Sequence, residues 1–407
     1  MTYTESYFLL KTLLTSKSET KIIDVTEILE FPFTSSSYKI LPGNKDYYCE
    51  RHLQHINPGY SFYTEIGTLQ DDVHKKDIEV MENRSFNYHI IRPEGKEKCR
   101  KVTFLFHGFN EKDWTKYLPW AHALCKGTGS AVVLFPIAFH MQRAPKHWSS
   151  KREMYKLSAE RRQRFPNIIH STLSNVAISM RLHSMPQRFI WSGLQTYYDI
   201  IQFIESCKQN QHPAIHREFS FNIFAYSIGG FLAQILKLTN YNHYFDNTKV
   251  CLFCSGAAFN RLSPVSKFIL DSEANVALYS FLVEHFEKML EKDRLLNHYI
   301  REDHQEGKVF FSMLDYKKMR EFREGLLKKY ENHIYAITLK KDNVIPPFEV
   351  VNTLQGAWRN INISVDEIDF ERDYLHENPF PANVAYSHQV DEDFRITFNK
   401  ICQFLVN

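Results

Sequence analysis

The chain has 407 residues, 43% of them hydrophobic, which is enough to bury a large core and unlike the composition of a disordered protein. Its 50 basic and 47 acidic side chains leave a formal net charge of +3, too small for a dedicated nucleic-acid binder. No segment approaches the run of about 18 apolar residues that a membrane span needs, and the N-terminus lacks the pattern of a signal peptide. We therefore expect a soluble, cytoplasmic protein with neither nucleic acid nor membrane as a partner, and its oligomeric state stays open.

Apolar segments typical of strands alternate along the chain with segments typical of helices. The predicted strands are, in chain order, residues 101–109, 130–139, 219–227, 249–256, 333–342 and 363–370. The predicted helices are residues 113–129, 188–209, 228–239 and 390–406. Strands that are apolar on both faces and alternate with helices indicate a mainly parallel sheet sandwiched by helices. The predicted fold class is therefore α/β.

Two long insertions interrupt this alternation and divide the predicted core into three pieces, residues 81–140, 186–261 and 330–407. The first insertion, residues 141–185, is rich in Lys and Arg, and the second, residues 262–329, has the pattern of charged amphipathic helices. Insertions of this length tend to form lids or binding loops, so we interpret them as a basic insertion and a helical cap. Residues 1–80 show little periodicity and are interpreted as an N-terminal extension that wraps the core.

The segment FAYSIGG joins a predicted strand to a predicted helix and places Ser227 at the junction. It matches the pattern G-x-S-x-G except that Ala225 replaces the first Gly, whereas Gly229 keeps the second. A sharp strand-to-helix turn needs small residues at these two positions because the backbones approach closely, and it exposes the serine hydroxyl at the edge of the sheet. Ser227 is thus a candidate nucleophile, although a serine is also a common cap at a helix N-terminus.

A nucleophilic serine requires a base and an acid that orients this base, and in this architecture the acid precedes the histidine in the chain. Asp342 ends a predicted strand at the sheet edge where ligands bind in open α/β folds, although Asp is also common in turns. His376 lies in the loop after the next strand, and His388, just before the last predicted helix, is its rival. Chain position favours Ser227, Asp342 and His376 as the catalytic set.

Two backbone N–H groups are expected to stabilise the oxyanion that forms in such a reaction. One belongs to Ile228, directly after the serine, and the other to Phe109 in the loop HGFN, which follows the first predicted strand. His107 in the same loop is predicted to be a structural hydrogen-bonding residue rather than a base.

The HGFN loop, the YSIGG turn, Asp342 after a late strand and His376 in HENPFP together resemble the α/β-hydrolase superfamily. Within it, FPIAFHMQRAPKHW and YSIGGFLAQIL are similar to a group of bacterial hydrolase-like proteins of unknown function, best represented in Bacteroidetes, over nearly the whole chain. The resemblance implies an α/β-hydrolase fold with helical insertions, hydrolysis through an acyl-enzyme on Ser227, and no metal or organic cofactor. A recurring HE-PFP segment in that group supports His376 over His388.

Three residues near these elements are candidate substrate contacts: Asn110 after the oxyanion loop, Arg143 after the neighbouring strand, and Tyr226 before the serine. Arg143 can pair with a carboxylate or phosphate of a substrate, or it can hold the insertion to the core through an ion pair. Residues 143–164 carry eight basic and two acidic side chains, which is compatible with an anionic substrate but is also typical of a solvated face.

The seven cysteines are scattered, and several lie in apolar segments where a thiol acts as a small hydrophobe. Cys251 and Cys254 form a C-x-x-C pattern, but they lie in an apolar strand without a second pair to complete a zinc site. We therefore expect a packing role for both, and neither a metal nor a cofactor.

The sequence predicts a serine hydrolase that cleaves an ester, thioester or amide of a small-molecule acyl substrate. The alternative is a hydrolase-like protein without catalytic activity that uses the pocket to bind a ligand or a partner. Other chemistry on this scaffold, such as C–C bond cleavage, is a third option. Which acyl group and which leaving group are recognised depends on the two insertions, and no sequence motif in them indicates a substrate.

Overall fold

The structure is a computed structural model and describes residues 1–15, 21–44, 46–57, 76–95 and 97–407. In chain order its strands are β1 (Ile22–Ile23), β2 (Thr26–Thr34), β3 (Tyr47–Cys49), β4 (Gln54–Ile56), β5 (Ser85–Pro93), β6 (Cys99–Phe106), β7 (Ala131–Leu134), β8 (Ile215–Tyr226), β9 (Val250–Phe253), β10 (Ile334–Leu339) and β11 (Ser364–Ile368). Its α-helices are α1 (Tyr3–Thr15), α2 (Met81–Arg84), α3 (Leu118–Thr128), α4 (Lys151–Arg164), α5 (Val176–Ser184), α6 (Arg188–Lys208), α7 (Ile228–Thr239), α8 (Ser272–Tyr279), α9 (Phe286–Lys292), α10 (Arg294–Arg301), α11 (Gln305–Ser312), α12 (Arg320–Lys329), α13 (Pro347–Leu354) and α14 (Ser387–Val406).

The described strands other than β3 and β4 form one sheet in the order β1-β2-β5-β7-β6-β8-β9-β10-β11. Pairing is antiparallel from β1 to β7 along this order and parallel from β7 to β11. A mixed, mostly parallel sheet flanked by helices, with a strand-to-helix turn at the end of β8, is the α/β-hydrolase fold. The fold class predicted from the sequence is confirmed.

The sheet is buried on both faces, which explains why its central strands are continuous apolar runs. Phe104 and Phe106 of β6 pack into the cluster that includes α6 and α7, whereas Leu105 between them packs into the cluster that includes α3 and α14. Because β6, β8 and β10 run parallel, their carboxyl ends meet at one edge of the sheet. The loops that carry the candidate site residues begin at this edge.

The N-terminal segment, which the sequence predicts to wrap the core, adds two strands, β1 and β2, to the edge of the main sheet. β2 pairs with β5 along its whole length, and α1 packs against α3 and α14. Most of β2 beyond its first residues is only partly buried, and the strand contains Pro32, so its sequence lacks the continuous apolar run that reveals the central strands. Residues 58–75 of the predicted extension lie outside the described residues.

The basic insertion and the helical cap contact each other, since α5 packs against α8. Arg161 in α4 forms a bidentate ion pair with Asp271, the residue that caps α8, at 2.7 and 2.9 Å. Both side chains are buried, and a bidentate pair of this kind fixes the relative position of the two elements. At least one basic side chain of residues 143–164 is therefore neutralised by an ion pair inside the protein and does not face solvent.

Among the described residues, no helix combines the length and the apolarity that a membrane crossing requires.

Replacing a glycine by alanine is expected to change the free energy of unfolding in opposite directions at Gly229, in the tight turn between β8 and α7, and at Gly325. A Cβ atom at Gly229 would lie 2.6 Å from the backbone oxygen of Phe106 and 2.8 Å from that of His107, so Gly229→Ala is expected to lower the free energy of unfolding by about 1–3 kcal/mol. At Gly325, exposed in α12, the same atom would meet nothing within 4 Å among the described residues, so Gly325→Ala is expected to raise it by about 0.5–1 kcal/mol. Denaturant unfolding followed by circular dichroism measures both, and an unchanged unfolding midpoint for Gly229→Ala would contradict the close approach.

Candidate active site

Ser227 occupies the turn between β8 and α7 in a backbone conformation that non-glycine residues rarely adopt, with φ of 54° and ψ of −126°. Its carbonyl oxygen accepts hydrogen bonds from the hydroxyl of Ser255 at 2.6 Å and from the N–H of Gly230 at 3.0 Å. Its own N–H donates to the carbonyl of Phe253 at 3.2 Å. The backbone of Ser227 is thus bonded to β9 and to the loop after it, and its side chain is left to point out of the turn.

Ser227, His376 and Asp342 form a hydrogen-bonded relay. The Oγ atom of Ser227 lies 2.8 Å from Nε2 of His376, and Nδ1 of His376 lies 2.7 Å from Oδ2 of Asp342. All three side chains are buried. The structure therefore brings together the three residues that the sequence predicted as a catalytic set, in the geometry that a serine nucleophile and its base require.

The loop after β10 orients the Asp342 carboxylate. Its Oδ1 atom accepts the backbone N–H groups of Val344 and Ile345, each at 2.9 Å, and its Oδ2 atom faces His376. One oxygen is held by the backbone, so the other has a fixed direction. Cys254 lies beside this carboxylate, and burial together with the charge of Asp342 raises the pKa of its thiol well above the usual value. This thiol stays protonated and serves packing, as predicted.

Tyr226 lines the cleft beside Ser227 and also holds the loop of His376, and its predicted contact with substrate stays a prediction. Its ring stacks on the imidazole of His376 with 5.5 Å between the ring centroids, and its hydroxyl donates a hydrogen bond to the backbone oxygen of His376. Burial raises the pKa of Tyr226 well above its usual value, so the phenol stays a donor. The rival histidine, His388, is exposed at the start of α14. Of the two candidates, the structure places only His376 at the serine.

The two predicted oxyanion donors belong to residues that lie close to the serine. Ile228 begins α7, and Phe109 lies in the loop after β6; both residues line the same apolar pocket as Ser227. Within the part of the chain that the structure describes, neither backbone N–H has a hydrogen-bond acceptor. The neighbouring N–H of Gly108 is already used, since it donates to the hydroxyl of Tyr117 at 2.8 Å. Both predicted amides are therefore free to bind an oxyanion.

His107 holds the oxyanion loop in place. Its Nδ1 atom lies 2.7 Å from the carbonyl oxygen of Gly108, and its Nε2 atom accepts the N–H of Ile137 at 2.9 Å. Burial lowers the pKa of His107 well below its usual value, so the ring is neutral and its two nitrogens serve as one donor and one acceptor. The residue is structural, as predicted.

Ser227 lies where an apolar pocket meets a polar cleft. The apolar pocket is lined by Phe109, Phe189, Ser227, Ile228, Phe259, Leu262, Pro264, Ile269, Leu270, Leu278, Val344 and Ile345. The polar cleft is lined by the site residues and by charged side chains of both signs, namely Lys11, Glu111, Lys112, Asp113, Lys116, Lys151 and Glu377. Burial lowers the pKa of Lys112 to about 8. The cleft combines apolar and charged side chains, and its charges do not favour one sign strongly.

Asn110 lines the polar cleft, but its side-chain amide is used to hold the insertions. The NH₂ group donates to the backbone oxygen of Ser174 at 2.8 Å and to that of Phe268 at 2.6 Å. The Oδ1 atom accepts a hydrogen bond from Lys112 at 2.9 Å. Its predicted contact with substrate stays a prediction, and its visible role is to join the oxyanion loop to both insertions.

Arg143 does not reach the site, and the predicted substrate contact is corrected. Its side chain is fully buried and pairs with the equally buried Asp199 at 2.7 Å. The same guanidinium donates to the side chain and the backbone of Asn83 and to the backbone oxygen of Pro136. Because the side chain is fully buried and lines neither cavity beside Ser227, it cannot contact a substrate there. Of the two interpretations given above, the ion pair inside the protein is the one that the structure shows.

The sequence did not reveal a second network beside the serine. Tyr117 donates a hydrogen bond to Oε1 of Glu111 at 2.7 Å, and Lys116 pairs with the same carboxylate and donates to the backbone oxygen of Glu377 at 3.0 Å. This network joins the oxyanion loop to the loop of His376. Glu377 lies 261 positions after Lys116, so local sequence pattern contains no signal for this connection.

Comparison with known proteins places the chain in a family. The family described as "Family of unknown function (DUF6051)" matches residues 1–406. The chain belongs to this family. No curated protein matches the chain.

Several solved structures are similar to this DUF6051 protein. Carboxyl esterase 2 from the mycorrhizal fungus Tuber melanosporum has 11% identity and a TM-score of 0.42, over 78% of this chain and 81% of that one. A thermostable esterase from Pseudomonas putida has 10% identity and a TM-score of 0.42, over 100% of this chain and 91% of that one. A Pyrobaculum calidifontis esterase has 10% identity and a TM-score of 0.44, over 99% and 90%.

The position of Arg143 predicts a loss of stability rather than a change in substrate affinity. Arg143→Ala leaves Asp199 buried without its partner and is expected to lower the free energy of unfolding by about 3–5 kcal/mol. Arg100→Ala removes an exposed partner of Glu218 and is the control, with an expected loss of about 0–1 kcal/mol. Denaturant titration of both variants measures the difference. A fully stable Arg143→Ala variant would overturn the structural role.

Proposed function

We propose that this protein is a serine hydrolase that cleaves an ester, thioester or amide through an acyl-enzyme on Ser227. The observation that carries the proposal is the relay in which Ser227 Oγ lies 2.8 Å from His376 and His376 lies 2.7 Å from Asp342. A serine that only caps a helix needs no buried imidazole on its hydroxyl and no buried carboxylate behind that imidazole.

In the first half of the reaction, Nε2 of His376 takes the proton of the Ser227 hydroxyl while Oγ bonds to the carbonyl carbon of the substrate. The carbonyl π electrons move to the oxygen and give a tetrahedral oxyanion. When this intermediate collapses, the bond to the leaving group breaks and His376 gives its proton to that group. Asp342 stays ionised and stabilises the imidazolium.

In the second half, a water molecule takes the place of the leaving group. His376 removes a proton from the water, whose oxygen bonds to the acyl carbon, and the same proton then goes to Oγ as the acid product leaves. The N–H groups of Phe109 and Ile228 stabilise the oxyanion in both halves, which their unused hydrogen-bonding capacity supports. The serine is thereby restored.

The surroundings of Ser227 favour an apolar acyl group, with the leaving group in the larger cleft. The apolar pocket beside Ser227 is lined mostly by aliphatic and aromatic side chains, and it contains Phe109 and Ile228, so the acyl carbon held by the oxyanion donors projects its chain there. The leaving group then faces the polar cleft. The cleft has lysines and carboxylates, so an anionic substrate stays a prediction of the sequence alone.

Hydrolysis of p-nitrophenyl esters with short acyl chains tests the proposal. Ser227→Ala and His376→Ala are each expected to lower kcat by about 10⁴-fold or more, because neither residue acts without the other. His388→Ala is the matched control and is expected to leave kcat unchanged, since that histidine is exposed away from the serine. Activity that survives in Ser227→Ala would contradict the proposal, and loss of activity in His388→Ala would contradict the choice of base.

The hydrogen bond from Tyr226 to the His376 backbone predicts a positioning role. Tyr226→Phe keeps the stacked ring but removes the hydroxyl, and because such a bond contributes about 1 kcal/mol, kcat is expected to fall about fivefold with little change in KM. The control is Tyr335→Phe, which removes a hydroxyl bonded to Asp366 at 2.8 Å at the opposite end of the parallel strands. Steady-state kinetics separates the two parameters, and an equal change in the control would show that the effect is not specific.

A further inference from the structure

A second cluster of reactive side chains lies outside the site described above. Cys49, His52, His298 and His304 bring one sulfur and three ring nitrogens to within 4.8 Å of one another. Three of the side chains are buried, and His52 is half-buried. None of the four lines the polar cleft or the apolar pocket as the structure describes them.

The distances within the cluster are those of ligands around a tetrahedral ion. The Nε2 atoms of His298 and His304 are 3.1 Å apart, and Sγ of Cys49 lies 3.5 Å from Nε2 of His304 and 3.4 Å from Nδ1 of His52. Zinc bonds of about 2.0–2.1 Å to nitrogen and about 2.3 Å to sulfur place tetrahedral ligands roughly 3.3 Å apart for two nitrogens and roughly 3.5 Å for nitrogen and sulfur. The widest separation, 4.8 Å, closes to such a value when one side chain moves by about 1.3–1.5 Å.

The second nitrogen of each buried histidine faces a carboxylate. Nδ1 of His304 forms a hydrogen bond with Oε1 of Glu306 at 2.8 Å, whereas Nδ1 of His298 lies 3.1 Å from Oε2 of Glu302 without hydrogen-bond geometry. A proton on each Nδ1 leaves both Nε2 atoms with lone pairs that point at each other across 3.1 Å. A cation between them removes this repulsion, and carboxylates behind histidine ligands are a recurrent feature of zinc sites.

The spacing along the chain fits the same interpretation. Cys49 ends β3 and His52 lies in the turn before β4, which gives C-x₂-H. His298 lies in α10 and His304 directly precedes α11, which gives H-x₅-H. Structural zinc sites commonly combine two such close pairs from distant parts of a chain. Sequence pattern did not reveal this set, because its two halves lie about 250 positions apart and neither half is distinctive alone.

We propose that Cys49, His52, His298 and His304 bind one zinc ion as a closed, structural site. A thiolate and three imidazoles are a ligand set suited to Zn²⁺, and four protein ligands leave no position for a reacting water. The β3-β4 hairpin belongs to a separate two-stranded sheet, which has little stability alone. The ion would fasten this hairpin to α10 and α11, and α11 in turn packs against α6 and α7.

The test is the metal content of the full-length protein, purified after growth in zinc-supplemented medium and analysed by mass spectrometry of the elements. One equivalent of zinc is expected in the unmodified chain, and Cys49→Ser and His304→Ala are expected to lose it. Cys207→Ser and His243→Ala are the matched controls, because Cys207 is a buried free cysteine in α6 and His243 is exposed. Zinc that is retained in Cys49→Ser would overturn the proposal.

Cobalt binding gives a second readout that depends on the ligands. After the zinc is removed with a chelator, Co²⁺ is expected to produce the absorption of a tetrahedral ion with a thiolate-to-cobalt band, and this band is expected to be absent in Cys49→Ser. If the ligand variants do not fold, Glu306→Gln keeps all four ligands and is expected to weaken zinc binding by about 10–100-fold. A folded, metal-free chain that binds neither added Zn²⁺ nor added Co²⁺ would exclude the site. Hydrolysis by Ser227 is not the readout, so the two proposals fail independently.

Discussion

The turn at Ser227 is the constraint on which the rest of the site depends. A serine held at φ of 54° projects its hydroxyl beyond the end of β8, and the chain can enter α7 only because residue 229 is a glycine that approaches the backbone of β6. The same approach places the first N–H of α7 and the loop after β6 side by side. Nucleophile and oxyanion donors are thus set by one backbone geometry.

The base and the acid are held by different means. Asp342 is fixed by two backbone N–H groups directly after β10, so its direction follows from the strand that precedes it. His376 comes from a longer loop, and two networks hold that loop to the core: the Tyr226 hydroxyl bonds to its backbone, and Lys116 connects Glu377 to the oxyanion loop. The position of His376 thus depends on residues that belong to no recognisable catalytic motif.

Much of this account could be read from the sequence, for physical reasons. Central strands buried on both faces are continuous apolar runs, so the α/β class and the order of elements were predictable, and the Ser, Asp, His order followed from the turn. Side-chain environment was not predictable: Arg143 became an internal ion pair because Asp199 and Asn83 meet it only in the folded chain. The strands β1 and β2 could not be predicted because β2 is largely half-exposed and contains Pro32.

The Cys and His cluster could not be predicted either, because it brings together two segments that are distant in the chain. The similarity to a group best represented in Bacteroidetes stays a prediction.

The most direct test of the central claim is to incubate the purified protein with a fluorophosphonate probe and to locate the modified residue by peptide mass spectrometry. The probe reacts with a serine only when a base activates its hydroxyl. The account predicts a single adduct on Ser227 in the unmodified chain and none in a folded His376→Ala variant. A folded chain whose Ser227 stays unlabelled at high probe concentration would contradict it and would favour a protein that uses the hydrolase fold only to bind a ligand.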